Sequence, residues 1–172
     1  MARIKLPMPA PFEELIERHG RELMRYLVRA TGDREDAADL FQETFVRAYR
    51  AYPRLDPSRD ARVWLYAIAT NLCRNRARAT ARRAAVFAAT PDGAGGSTPA
   101  ETLAQRTRAD ATGPKLDLRR LVARLPDKQR RALLMRYFGG LEYAEIADAL
   151  DCSEQSARAN VSQAMKKLRA AW

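Results

Sequence analysis

Between Ser153 and Arg169 the chain carries no acid beyond Glu154, and polar or cationic side chains recur through the stretch: Gln155, Ser156, Arg158, Asn160, Ser162, Gln163 and Lys166. Wound as a helix, Ala157, Val161, Ala164 and Leu168 form one apolar stripe, and the polar set falls mostly on the other faces. Gln155, Arg158 and Gln163 can reach outward, while Ser156, Ala159 and Ser162 let a partner's backbone come close. Side chains of this kind suit hydrogen bonding to base edges and phosphates in a DNA major groove. Lys115 onward supplies the frame that would hold them. Ser153 is a good N-cap, and Glu154 sits where a helix dipole favours negative charge. Asp151 can tolerate a left-handed turn. Before it, Ile146 and Leu150 are i, i+4, and Ala147 is small where crossing helices approach. The pattern is a helix, a tight turn and a second helix, which is a DNA-reading motif.

No stretch points to catalysis. There is no nucleophile–base pair, no cluster of metal ligands and no phosphate loop, so no catalytic residue is expected. Cys73 and Cys152 are far apart, and His19 is the single histidine. Without paired ligands at metal-binding spacing, neither a metal nor another cofactor is expected. Pro91 to Pro99 is rich in glycine but lacks the Lys-Ser/Thr that a phosphate loop requires. No apolar run approaches the ~20 residues of a spanning helix. Met1 to Pro11 lacks an apolar signal core. A cytoplasmic location without membrane insertion is the expectation.

The 172 residues carry a formal net charge of +10, which favours a polyanionic partner. The charge is uneven. Arg62 to Arg83 holds six arginines (62, 74, 76, 78, 82 and 83) and no acid. Asp33 to Arg50 holds five acids (33, 35, 36, 39 and 43) against three arginines. An acid-and-amide helix beside a basic one predicts one face for a protein and one for phosphates.

Helical periodicity runs from Phe12 to about Ala81 and returns at Lys115. In the first block Phe12, Leu15, Ile16, His19, Leu23, Leu27 and Val28 make one amphipathic helix, stopped by Thr31-Gly32-Asp33. Asp33 can cap the next helix, which buries Leu40, Phe41, Thr44, Phe45, Ala48 and Tyr49. Pro53 and Pro57 break the chain, and a third helix begins near Ala61 with Trp64, Leu65, Ile68 and Leu72 inward. Between the blocks, Ala, Gly, Thr, Ser and Pro predominate, which predicts a flexible tether with a weak helix near Ala100 to Ala109. The expected fold is all-α: two small helical domains at 10–83 and 115–172, joined by a linker at 84–114.

Three segments resemble a known family. Asp36-Ala37-Ala38-Asp39-Leu40-Phe41-Gln42-Glu43-Thr44-Phe45-Val46-Arg47-Ala48-Tyr49-Arg50 is similar to region two of bacterial sigma factors. Arg62 to Cys73 resembles the following helix of the extracytoplasmic-function class. Leu125-Pro126-Asp127-Lys128-Gln129-Arg130-Arg131 to Leu141 resembles the opening of region four and runs into the helix-turn-helix. The resemblance implies a transcription initiation factor that binds RNA polymerase core, both β′ clamp helices and the β subunit, and directs it to promoter DNA. It implies that Asp36, Asp39, Leu40, Gln42 and Glu43 bind the polymerase. Arg62, Asn71, Arg74, Asn75 and Arg78 would take the melted minus-ten strand. Gln155, Ser156, Arg158, Ala159, Asn160, Ser162, Gln163 and Lys166 would read the minus-thirty-five element. An anti-sigma factor is the further implied partner. Family members often carry Gly at the place of Asp151, a basic residue at Asn160 and Arg at Gln163. The competing reading is a sigma-like mimic that binds an anti-sigma factor without reading promoters. The arginines from Arg62 to Arg83 speak against it.

Overall fold

Gly32 ends the first helix because its backbone takes the left-handed conformation, φ 74°. Its N–H then closes on the Val28 carbonyl. The computed structural model describes residues 11–88 and 114–171. Among these are α1 (Phe12–Thr31), α2 (Arg34–Ala51), a 3-10 turn (Tyr52–Arg54) and α3 (Ala61–Ala88). Then come α4 (Pro114–Ala123), α5 (Asp127–Tyr137), α6 (Tyr143–Leu150) and α7 (Glu154–Ala171). No strand occurs among the described residues, so the fold is all-α as expected. The basic helix runs to Ala88, past the expected domain edge at 83. The rest of the expected tether, with the weak helix near Ala100, lies outside the described residues.

Helices α1, α2 and α3 pack on one another. Leu23, Tyr26, Leu27, Leu65 and Tyr66 are fully enclosed, Tyr66 partly by Gly139 of the second unit. Each such leucine contributes about 1.5–3 kcal/mol by leaving water. The Tyr26 hydroxyl meets Thr70 Oγ1 at 2.9 Å, and Thr44 satisfies its hydroxyl on the Leu40 carbonyl at 2.6 Å. Two expected core residues stay outside. Ile16 remains exposed, and Tyr49 is 63% exposed although its ring touches Phe12 edge-on.

The second unit crosses α7 over α4, α5 and α6. Leu134, Met135, Leu141, Ile146, Ala157 and Ala164 fill its centre. The two units also meet, through α3 against α6 and α1 against α5. Their buried side chains form one continuous apolar cluster. Gly139 marks a close approach between them. A Cβ there would lie 2.8 Å from Tyr66 Cε1 and 2.8 Å from the Met135 carbonyl oxygen.

Candidate polymerase and nucleic-acid interfaces

The helix-turn-helix is built by local capping. Glu142 and Glu145 form a reciprocal capping box at the start of α6, with the Glu142 N–H donating to Glu145 Oε2 at 2.6 Å. Asp151 ends α6 with φ 52°, and the Cys152 N–H reaches back to the Ala147 carbonyl at 3.0 Å. Ser153 Oγ then accepts from the Ser156 N–H at 3.1 Å and opens α7. Ala157, Val161 and Ala164 turn inward. Gln155, Ser156, Arg158, Ala159, Ser162, Gln163 and Lys166 are left exposed, and Asn160 is half-buried.

Several of these side chains are already held. Asn160 Nδ2 donates to the Ser156 carbonyl at 2.9 Å. Arg158 pairs with Glu154 at 2.6 Å and lies 4.5 Å from the centre of the Tyr143 ring. Arg136 lies 5.0 Å from the same ring and pairs with Glu142 at 2.8 Å. Gln129 of α5 donates to Gln163. Tyr143, Arg136 and Gln129 thus support the outward face of α7, and the sequence reading missed all three. Their only local signal is that Tyr143 stands at the first position of α6.

On α2, Asp33 caps the helix by accepting from the Asp36 N–H at 2.8 Å. Asp39, Gln42 and Glu43 are exposed along one side. Val46 at 45% and Tyr49 at 63% exposure continue that side at i+7 and i+10 from Asp39. Leu40 does not belong to it. It is 4% exposed, enclosed in the core one residue round the helix from Asp39. Asp36 is half-buried and accepts from Arg76 of α3 at 2.6 Å. The same guanidinium lies 3.4 Å from Asp39. Counting charge along the sequence treats the acidic and basic helices as separate, whereas Arg76 joins them.

On α3, Asp60 Oδ1 accepts from the N–H groups of Arg62 and Val63 at 2.8 and 3.2 Å. Asn71, Asn75 and Arg78 are exposed, and Arg74 is half-buried with its Nε enclosed and without a hydrogen-bond partner. These four share one face. Arg62 stands apart from them, because nine residues at about 100° each place it half a turn from Asn71. Its guanidinium donates to the Gly139 carbonyl and lies 3.7 Å from Glu22 and 3.8 Å from Glu145. Arg62 therefore does not join the basic face here but is spent at the junction with α6. Around it, Arg59 pairs with Asp148 at 3.2 Å, and Arg29 lies 5.0 Å from the Phe138 ring centre. Burial pushes the Cys73 thiol up to about 12, with Arg130, Arg131 and Asp127 of α5 among the charges it feels.

Among the described residues, no group of three or more His, Cys, Asp or Glu could hold a metal ion, and no helix is long and apolar enough to cross a membrane. Residues 15–83 match sigma-70 region 2, and residues 115–168 match sigma-70, region 4. The probable RNA polymerase sigma-C factor of Mycobacterium bovis is 30% identical over 158 residues, spanning 92% of this chain and 81% of that protein.

The chain belongs to the ECF class of the sigma-70 family.

Other relatives agree. The ECF RNA polymerase sigma factor SigL of Mycobacterium tuberculosis is 29% identical over 160 residues, across 90% of this chain and 85% of its own length. The RNA polymerase sigma-H factor of Pseudomonas aeruginosa is 28% identical over 167 residues, across 91% and 83%. In fold, the chain resembles the sigma factor RpoE of Bartonella quintana, solved with the anti-sigma factor NepR. The TM-score is 0.73 at 18% identity, over 93% of this chain and 95% of that one. CnrH, solved with the cytosolic domain of CnrY, gives 0.65 at 25% identity, over 92% and 85%. As a sigma factor, this protein serves transcription initiation, with RNA polymerase and promoter DNA as its partners. Sigma factors of this family are initiation factors and not, in general, enzymes.

Proposed function

We propose that the three exposed faces divide the work of initiation. The α2 face (Asp39, Gln42 and Glu43, extended by Val46 and Tyr49) docks on the clamp helices of the polymerase β′ subunit, with further contacts to β. An exposed tyrosine and valine, with Asp39 and Glu43 on the N-terminal side and Arg47 and Arg50 beside them, is a fitting hot spot for a protein partner. Asn71, Arg74, Asn75 and Arg78 take the melted minus-ten strand, the arginines on phosphates and the asparagines on base edges. The α7 face reads the minus-thirty-five element as duplex. Residues 10–83 and 115–172 are the working units, and 84–114 is their tether.

One observation carries this division: four polar side chains fall on a single face of α3 while Arg62, in the same basic run, turns to α6. Geometry adds a requirement. The two promoter elements lie on the order of 80 Å apart, for ~25 base pairs at ~3.4 Å each. A compact chain of this length spans roughly 40 Å. The contact between α3 and α6 must therefore part before both elements are read. Arg62 is then released and becomes available to DNA.

An anti-sigma factor is the third proposed partner, on the pattern of CnrH with CnrY, and the cytoplasm is the proposed location. The direct test is transcription from a genomic promoter library by polymerase core with and without this protein. Promoter-specific initiation that needs the protein supports the division. Capture of an anti-sigma factor without any promoter-specific initiation would replace it with the mimic reading.

A further inference from the structure

Gln129 stands in the first turn of α5, one of the helices on which α7 packs. Its Nε2 donates to Gln163 Oε1 at 2.7 Å, across 34 residues of sequence. The Oε1 of Gln129 is buried and has no hydrogen-bond partner. That fixes the polarity of the pair. Turning the Gln129 amide over would enclose N–H donors in the same place, and orphaned donors are tolerated less well than an orphaned carbonyl. The Gln163 carbonyl is therefore drawn towards α5. A carboxamide is planar, with its oxygen and nitrogen on opposite sides, so the Gln163 amino end turns away from α5. Asn160, one turn earlier, is committed in the opposite sense. Its Nδ2 is taken by the Ser156 carbonyl, and Oδ1 is its remaining polar end.

Resting on the reading of α7 as the helix that meets the upstream element, the geometry points to Gln129 as a positioning residue that decides which base Gln163 accepts. A free glutamine can span adenine with both ends, accepting from N6 and donating to N7. With one lone pair of its carbonyl filled by Gln129 and that end drawn towards α5, Gln163 leads with its amino end. Donors match guanine N7 and O6 or thymine O4, and they leave the adenine amino group unmet. An unmet polar group inside a groove counts against that base. Gln129 itself touches no DNA in this arrangement and still selects against adenine at one base pair.

The test is a promoter-library selection with polymerase core and the full chain, using wild type, Gln129→Ala, Gln129→Glu, Gln163→Ala and the double alanine variant. Gln129→Ala frees the Gln163 amide and should raise adenine by roughly fivefold or more at a single upstream position. Gln129→Glu can only accept, so it draws the Gln163 amino end inward and turns the carbonyl out. Preference should then move to bases that display an amino group, adenine or cytosine. The double variant should match Gln163→Ala alone. A purely structural role for Gln129 would weaken all promoters alike and leave the base preference unmoved. The proposal is overturned if both Gln129 variants keep the wild-type preference, or if Gln129→Ala shifts it equally when Gln163 is already alanine. A wild-type protein indifferent to every upstream base would instead remove the reading of α7 itself.

Discussion

The Arg62 guanidinium donates to the carbonyl of Gly139, a residue packed against Tyr66 of the other unit. A cation from the basic helix of region two is thereby held by the turn that leads into the helix-turn-helix of region four. Glu22 and Glu145 flank it from either side. The Arg62 Nε atom is buried without a hydrogen-bond partner, so the fit is paid for in part by desolvation.

Loosening this contact should expose Cys73. Only the thiolate attacks alkylating reagents, and a thiol pushed up to about 12 by burial reacts slowly. Cys152 is exposed and should be modified first. Arg62→Ala should speed iodoacetamide labelling of Cys73 several-fold at unchanged helical content, read by peptide mass spectrometry. Gly139→Ala should do the same and lower stability by about 1–3 kcal/mol, because the added methyl meets Tyr66 and a backbone oxygen. Equal Cys73 protection in all three proteins would show that the junction does not cover it.

The α2 face should fail by loss of apolar contact as well as charge. Val46→Glu changes a side chain that already faces water, so folding stability should change by only ~0.5 kcal/mol, and Tyr49→Ala, which also gives up its edge contact with Phe12, should cost about 0.5–1.5 kcal/mol. Binding to polymerase core should fall by roughly tenfold or more, as for a truncated hot spot. Asp39→Lys with Glu43→Lys should abolish co-purification with core. Leu40→Ala should instead lower the melting temperature, since it opens a core cavity worth about 2–5 kcal/mol.

Replacing Arg74 and Arg78 by alanine should weaken open-complex formation more than recruitment of core. Each lost phosphate contact to a single strand lowers the salt slope by about 0.7. A permanganate footprint of the melted region equal to that of wild type would assign these arginines to covering the helix surface instead.

His19 gives the protein an acid-side weakness. Burial first, and then the Arg62 cation, lower its pKa below 6.5, against weaker opposing pulls from Asp60 and Glu22. The unfolded chain then binds the proton more readily than the folded one, so stability rises with pH through this window. The contribution is complete above about pH 6.5 and is lost as pH falls through the depressed folded value. His19→Gln should flatten the melting temperature between pH 7.5 and 5. A wild-type curve no steeper than the variant's would contradict this origin.

Much of this architecture is legible in the sequence because its signals are local. Gly32, Asp33, Asp151 and Ser153 each act within a few residues, and all four take the expected turn or cap. The face of Asn71, Arg74, Asn75 and Arg78 also follows from helical spacing, whereas the family resemblance groups Arg62 with them and its place at the junction comes from the docking of the two units. Leu40 is buried although the family motif groups it with the partner face, because a motif shared with a family does not say which of its residues turns inward. Tyr49 looks like a core aromatic by periodicity, yet it is 63% exposed with its ring edge-on to Phe12. Pairings across the two units, such as Arg59 with Asp148, depend on how whole helices dock and leave no trace in spacing. The same holds for Gln129 and Gln163, which lie on helices of one unit but far apart in sequence.

The closed arrangement of α3 against α6 leaves the α2 face and the α7 face both on the outside. On the proposed division of faces, polymerase would capture the chain before its two units separate. Separation then becomes a first-order step inside the complex, and its rate should level off as polymerase concentration rises. Recruitment and promoter reading would run on two different clocks, with the Arg62–Gly139 contact setting the second.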